Sequence, residues 1–362
     1  MSFGITSLRK HKDEARAERR QHIPQVVLGH DLAAVLKLVA LKDQLPPEQL
    51  RLITPHLITR ERLRDSYERT ISVWRDNAAT LAAAARYPRL RPTRVDAEAQ
   101  FYKEGQWHRF QGRAKPMELA AGEEFFLAPR QDVPLEGFFS EADWAQLDDV
   151  LMAYQSVRVL EKIEKTTPTD LVSPAEWTLL FHDLGEVTCA ELWLSLPSRV
   201  VLQASLHGQT LPPELAAHLV AVRRQGAIAL HWELSREIHP EPRTLFMPQS
   251  MTHEWGHFVI DVHAWDGKTQ ALDVLVLLNE EEPTPEGMAD KIKLAKRVLD
   301  RAFSGFENHL VREHITASED FFEAPPVQVT SLAHVPGLHL IGPYASASED
   351  DTRYWARAAM SV

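Results

Sequence analysis

The first clear pattern along the chain is a compact apolar run, Gln25-Val-Val-Leu-Gly29, stopped by a glycine. His30 and Asp31 follow, and then Leu32 to Leu41, ten residues of Leu, Ala and Val broken by one lysine. Good helix formers dominate that stretch, and Asp31 stands where a carboxylate caps a first turn. A helix apolar on nearly every side belongs against a sheet. Gln44-Leu-Pro-Pro-Glu48 breaks the chain, and Leu50-Arg-Leu-Ile-Thr54 resumes as a second strand. Strand, glycine, buried helix, strand predicts a βαβ unit with two parallel neighbours.

Further along, the periods alternate. Ile58 to Tyr87 has helical character, and Gln100–Lys103 and Gln106–Arg109 read as a hairpin turning at Gly105. Ser140 followed by Asp143 resembles a capping box ahead of Trp144, Leu147 and Leu151. Ser173-Pro174 predicts a helix opening, with Trp177, Leu180 and Phe181 on one side. Arg199 to Ala204 reads as a strand, Pro212 to Arg224 as a helix, and Gly226 to Leu234 as a strand. His253–Trp265 and Gln270–Leu278 are expected to form a hairpin turned at Asp266-Gly267, with Phe258, Ile260 and Val262 alternating with Val259, Asp261 and His263. Thr284-Pro285 opens a helix that ends near Gly305, and Gly337–Ile341 closes as a strand before Gly342. This order predicts an α/β chain. Residues 23–98 and 305–362 are expected to build a doubly wound domain, 99–304 an inserted mixed-sheet and helical one with possible return segments to the first, and 1–22 a polar arm.

Composition changes the picture only by exclusion. The 362 residues are 44% hydrophobic and 25% charged, enough for a core and a solvated surface. Cys189 is the single cysteine, which rules out a disulfide framework and a cysteine-rich zinc site. A net charge of -11 disfavours nucleic acid. No apolar run is long enough to span a bilayer, and a cytoplasmic location is the expectation.

Two segments carry a family resemblance. Val26-Val-Leu-Gly29-His-Asp31-Leu-Ala-Ala34-Val35 resembles the FAD-binding start of the flavoprotein group of amine oxidases, phytoene desaturases and Rab GDP-dissociation inhibitors. Val335-Pro-Gly337-Leu-His-Leu-Ile-Gly342-Pro343-Tyr344 is similar to that group's closing motif. The resemblance implies a Rossmann-like FAD/NAD(P)-binding domain, with Gly29, His30, Asp31, Thr54, Gly342 and Pro343 at the cofactor-contacting positions.

Three of those positions depart from the pattern. Asp31 replaces the glycine over which a pyrophosphate lies, putting a like charge at the helix N-terminus. Thr54-Pro55 ends the second strand without the carboxylate that holds a ribose, and Pro343 fills the acidic position of the closing motif. The expectation from these departures is a chain that keeps the fold and holds no cofactor. It would bind a protein partner or an apolar small molecule without catalysing a reaction. The alternative is an FAD-dependent oxidoreductase of amine oxidase or desaturase type.

A second alternative is a zinc hydrolase. His253-Glu254-Trp-Gly-His257 matches the zinc-protease pattern, which requires both histidines on one helical face. Gly256 and the strand-like alternation after it argue against that helix; in a strand the two histidines stand about 13 Å apart.

Overall fold

The computed structural model describes residues 19–67, 87, 89, 93–95, 100–103, 105–109, 130–132, 135–166, 176–247, 258–278, 284–324 and 335–341. The βαβ start is present. Strand β1 (Arg20–His22) precedes β2 (Gln25–Gly29), helix α1 (Leu32–Leu41) and β3 (Leu50–Thr54), and β2 pairs in parallel with β3. Asp31 caps α1 as expected, its Oδ1 accepting from the Ala34 amide at 2.9 Å.

The sheet around this unit has five parallel strands. Its order is β18 (Leu338–Leu340), β12 (Glu191–Ser195), β2, β3 and β8 (Gln155–Val157). A parallel sheet is covered on both faces, and the side chains of β2 divide accordingly. Val27 points into a core with α1, Leu50, Leu52, Phe138, Leu147 and Leu151. Val26 and Leu28 point into a second core with Trp177, Leu179, Phe181, Val187 and Leu194. The second core is roofed by an adjoining sheet in the order β1, β11 (Glu186–Cys189), β10 (Glu176–Phe181), β9 (Leu160–Thr166). Helices Ser198–Ala204 and Pro213–Ala221 supply Val201, Leu202, Leu215 and Leu219 to it.

Two local expectations fail here for one reason. Glu176–Phe181 is a strand, not the helix opened at Ser173-Pro174, and Ser198–Ala204 is a helix, not a strand. Segments of six and seven residues are too short for periodicity to separate strand from helix, and the neighbouring sheet decides which is used. The pattern assigns no element to Glu191–Ser195, which becomes the strand beside β2.

A larger, seven-stranded sheet follows the order β17 (Leu310–Ala324), β13 (Arg223–Leu234), β16 (Gln270–Leu277), β15 (Phe258–Val262), β14 (Arg243–Met247), β5 (Gln100–Lys103), β6 (Gln106–Arg109). The 18-residue helix Pro285–Ala302, capped by Thr284, lays Ala295, Val298 and Leu299 on one face. Trp232, Ile260, Val274 and Phe306 fill that interface. The β15–β16 hairpin turns at Asp266-Gly267, where Gly267 has φ +94° and Asp266 accepts from the amides of Lys268 and Thr269. The hairpin at Gly105, with φ +79°, also forms as expected.

Candidate functional site

Ligands of open parallel sheets lie in the crevice outside the carboxyl ends of two strands whose connections run in opposite directions. In this chain β3 lies on one side of β2 and β12 on the other, so the crevice falls between the ends of β2 and β12. Those ends are Gly29 and Ser195, paired in register. A Cβ on Gly29 would stand 2.4 Å from the Ser195 carbonyl oxygen and 2.8 Å from the Ser195 Cβ. Glycine is therefore required by the packing of the two strands themselves.

Asp31 is the pivotal side chain of the crevice. It is 3% exposed, and its two carboxylate oxygens are spent on different elements. Oδ1 accepts from the Ala34 amide in the first turn of α1, and Oδ2 accepts from the Ser195 hydroxyl at 2.6 Å. Burial pushes its carboxyl up to about 6; the Ser195 hydroxyl and the amides of the helix start oppose that rise. An ionised carboxylate about 4 Å from a phosphate oxygen repels it by about 4 kcal/mol at the effective dielectric of a protein surface.

His30 is exposed at the lip of the crevice, its ring 5.0 Å from that of His56 in an edge-on contact. Thr54 is fully buried at the end of β3 and donates its hydroxyl to the His56 carbonyl at 2.7 Å. No carboxylate occupies that strand end, as read from the sequence. Gly342 and Pro343 lie outside the described residues, as do His253, Glu254 and His257. Among the described residues no group of three or more His, Cys, Asp or Glu is placed to hold a metal ion. Cys189 is buried, and desolvation drives its thiol pKa far up, which leaves it inert.

A second polar cluster escaped the sequence reading. On the face of the large sheet away from the Pro285–Ala302 helix, one cross-strand row reads His314, His231, Asp273, Asp261, Thr244. Asp273 is 1% exposed and accepts from His231 Nδ1 and His263 Nε2, both at 2.6 Å. Thr244 donates to Asp261 Oδ1 at 2.6 Å. The available signal was a charged residue inside the apolar run Gln270–Leu277, because a buried carboxylate demands partners.

No family model and no curated protein matches the sequence. Solved structures do. A cyclohexylamine oxidase from Brevibacterium oxydans matches 94% of this chain and 96% of its own, at TM-score 0.58 and 9% identity. A putrescine oxidase variant redesigned in cofactor binding matches 94% and 97%, at TM-score 0.57 and 10% identity. An oxidoreductase from Methanosarcina mazei matches 94% and 98%, at TM-score 0.56 and 11% identity. The chain has the fold of the FAD-dependent amine oxidases.

This likeness corrects the expectation of a chain without a cofactor. The amine-oxidase-type fold and the parallel dinucleotide-type sheet point toward FAD, and the flavin-dependent alternative matches them better than the non-catalytic reading. The residues present fit such a group in frame: strand, close-packed Gly29, buried helix start, and buried Ala34 where a third glycine would stand. Asp31 resists it, because its carboxylate already holds the helix start. Among the described residues no helix is long and apolar enough to cross a membrane.

Proposed function

We propose that this chain is a flavin-dependent oxidoreductase of amine-oxidase type that holds FAD at the carboxyl edge of the parallel sheet. The observation that carries the reading is the β2–β12 crevice, with Gly29 at its floor and the start of α1 at its wall. The amine-oxidase-type fold supports it. When bound, FAD supplies a two-electron acceptor for the oxidation of an amine or another apolar small molecule.

The chain's own residues do the holding. Gly29 keeps the end of β2 flush against Ser195, so backbone rather than side chain borders the crevice. The start of α1 presents backbone N–H groups and the positive end of its dipole, which favour a diphosphate. Ala34, fully buried, keeps α1 close to the sheet. Thr54 offers no charged oxygen to a ribose, so adenosine recognition rests on neutral contacts, with His30 and His56 at the rim. Of the expected partners, this reading keeps the small molecule.

The test is an absorbance scan of the gently purified protein, followed by FAD titration and denaturation. A flavin spectrum at about one per chain, released on unfolding or taken up on titration, is the expected result. A folded protein that stays colourless and takes up no FAD would end the reading.

A further inference from the structure

We propose that Asp31 and Ser195 form a latch across the nucleotide crevice, an internal anion that a diphosphate must displace before it can bind. The inference rests on the flavin reading above and deepens it.

Position is the first argument. The Ser195 to Asp31 hydrogen bond joins the end of β12 to the start of α1. It therefore sits at the paired strand ends where the sheet topology places a ligand. Chemistry is the second. A helix start binds anions through its unpaired amides and dipole, and Asp31 is an anion already seated there, with the Ala34 amide on one oxygen. A diphosphate and this carboxylate compete for the same donors.

Burial is the third argument. Asp31 is almost fully enclosed, and burial raises its carboxyl to about 6, so the charge is kept at neutral pH only because hydroxyl and amides compensate it. A side chain held this way stays put until another anion supplies what it gave the amides. Ser195 sets the strength of the hold. Its Cβ lies close against Gly29, and its hydroxyl is engaged by Asp31.

The latch makes a specific demand on variants. Asp31→Gly removes the competing anion and leaves a residue that caps a helix almost as well. Asp31→Asn removes the charge but keeps an acceptor for the amide. Ser195→Ala removes one of the two holds. FAD affinity would be measured by calorimetric titration at neutral pH for the wild type and all three, with circular dichroism confirming the fold of each. Asp31→Gly is expected to tighten FAD at least about tenfold, with Asp31→Asn and Ser195→Ala shifting less in the same direction.

Measurable and equal FAD affinity in the wild type and Asp31→Gly would overturn the latch while leaving the flavin reading intact. No FAD binding by any of the four folded proteins would overturn both. Should Asp31→Gly fail to fold, Asp31→Asn carries the same comparison, and wild-type affinity in that variant and in Ser195→Ala would overturn the latch.

Discussion

Asp31 is a helix cap, a buried charge and a crevice residue at once, and these roles pull its proton in different directions. Burial raises its carboxyl from 3.8 to about 6, so the folded chain binds the proton more tightly than the unfolded one. Native stability is then fullest below about pH 4 on this account and falls as pH rises through about 6. The loss is on the order of 3 kcal/mol. Asparagine keeps the cap and the bond to Ser195 without the charge. Urea unfolding across that range is expected to show Asp31→Asn gaining on the wild type as pH rises, by about that amount. A constant gap between the two would mean the carboxyl titrates as it does in the unfolded chain. Gly29 makes a plainer case. Its Cβ would stand 2.4 Å from a backbone oxygen that cannot step aside, so Gly29→Ala is expected to cost more than about 2 kcal/mol in the same measurement.

The strands of the large sheet owe their stability to different things on their two faces. Toward the Pro285–Ala302 helix, Trp232, Ile260, Val274 and Val298 pack as an ordinary apolar interface. The other face carries Asp273 and Asp261 on adjacent strands in direct register. Burial works against ionisation of Asp273, yet the charge and hydrogen bonds of His263 and His231 hold its carboxyl below the usual range. Truncating one member of such a group strands the others. Asp273→Ala is expected to destabilise by about 3–5 kcal/mol in chemical unfolding. A carboxyl depressed on folding contributes stability above its unfolded pKa and loses it as pH falls. The acid limb of the wild-type stability profile should therefore flatten in that variant, opposite in sign to the effect of Asp31.

At the scale of the molecule, the parallel sheet and the large sheet are built from interleaved stretches of one chain. The last described strand returns to the parallel sheet, where β18 joins β12 by register pairs from Leu192–Leu338 to Leu194–Leu340. Gly337 makes that return possible. It has φ +72°, and a Cβ there would fall 2.2 Å from the Ala190 carbonyl oxygen. A nucleotide seated between β2 and β12 would tie the segments together and stabilise the native state by mass action. Saturation at about a hundredfold above Kd adds about 2.7 kcal/mol, read as a rise in the thermal midpoint on adding FAD. An unmoved midpoint at saturating FAD would count against the nucleotide crevice as drawn.

The amino-acid sequence by itself determined several local elements and one decisive residue. The run from Gln25 to Thr54 is a βαβ unit because its apolar periods, glycine and cap admit no other arrangement, and Asp31 is a cap because carboxylates satisfy helix amides. The hairpins at Gly105 and Gly267 are equally local. Tertiary structure alone decided which strand lies beside β2, and so brought Ser195 to Asp31 across 164 residues. It also chose strand for Glu176–Phe181 and helix for Ser198–Ala204, and gathered His231, His263 and Asp273 into one cluster. Periodicity records which face of an element is apolar. It holds no record of which distant element that face or edge will meet, because pairing partners are selected by packing after the chain has folded back on itself.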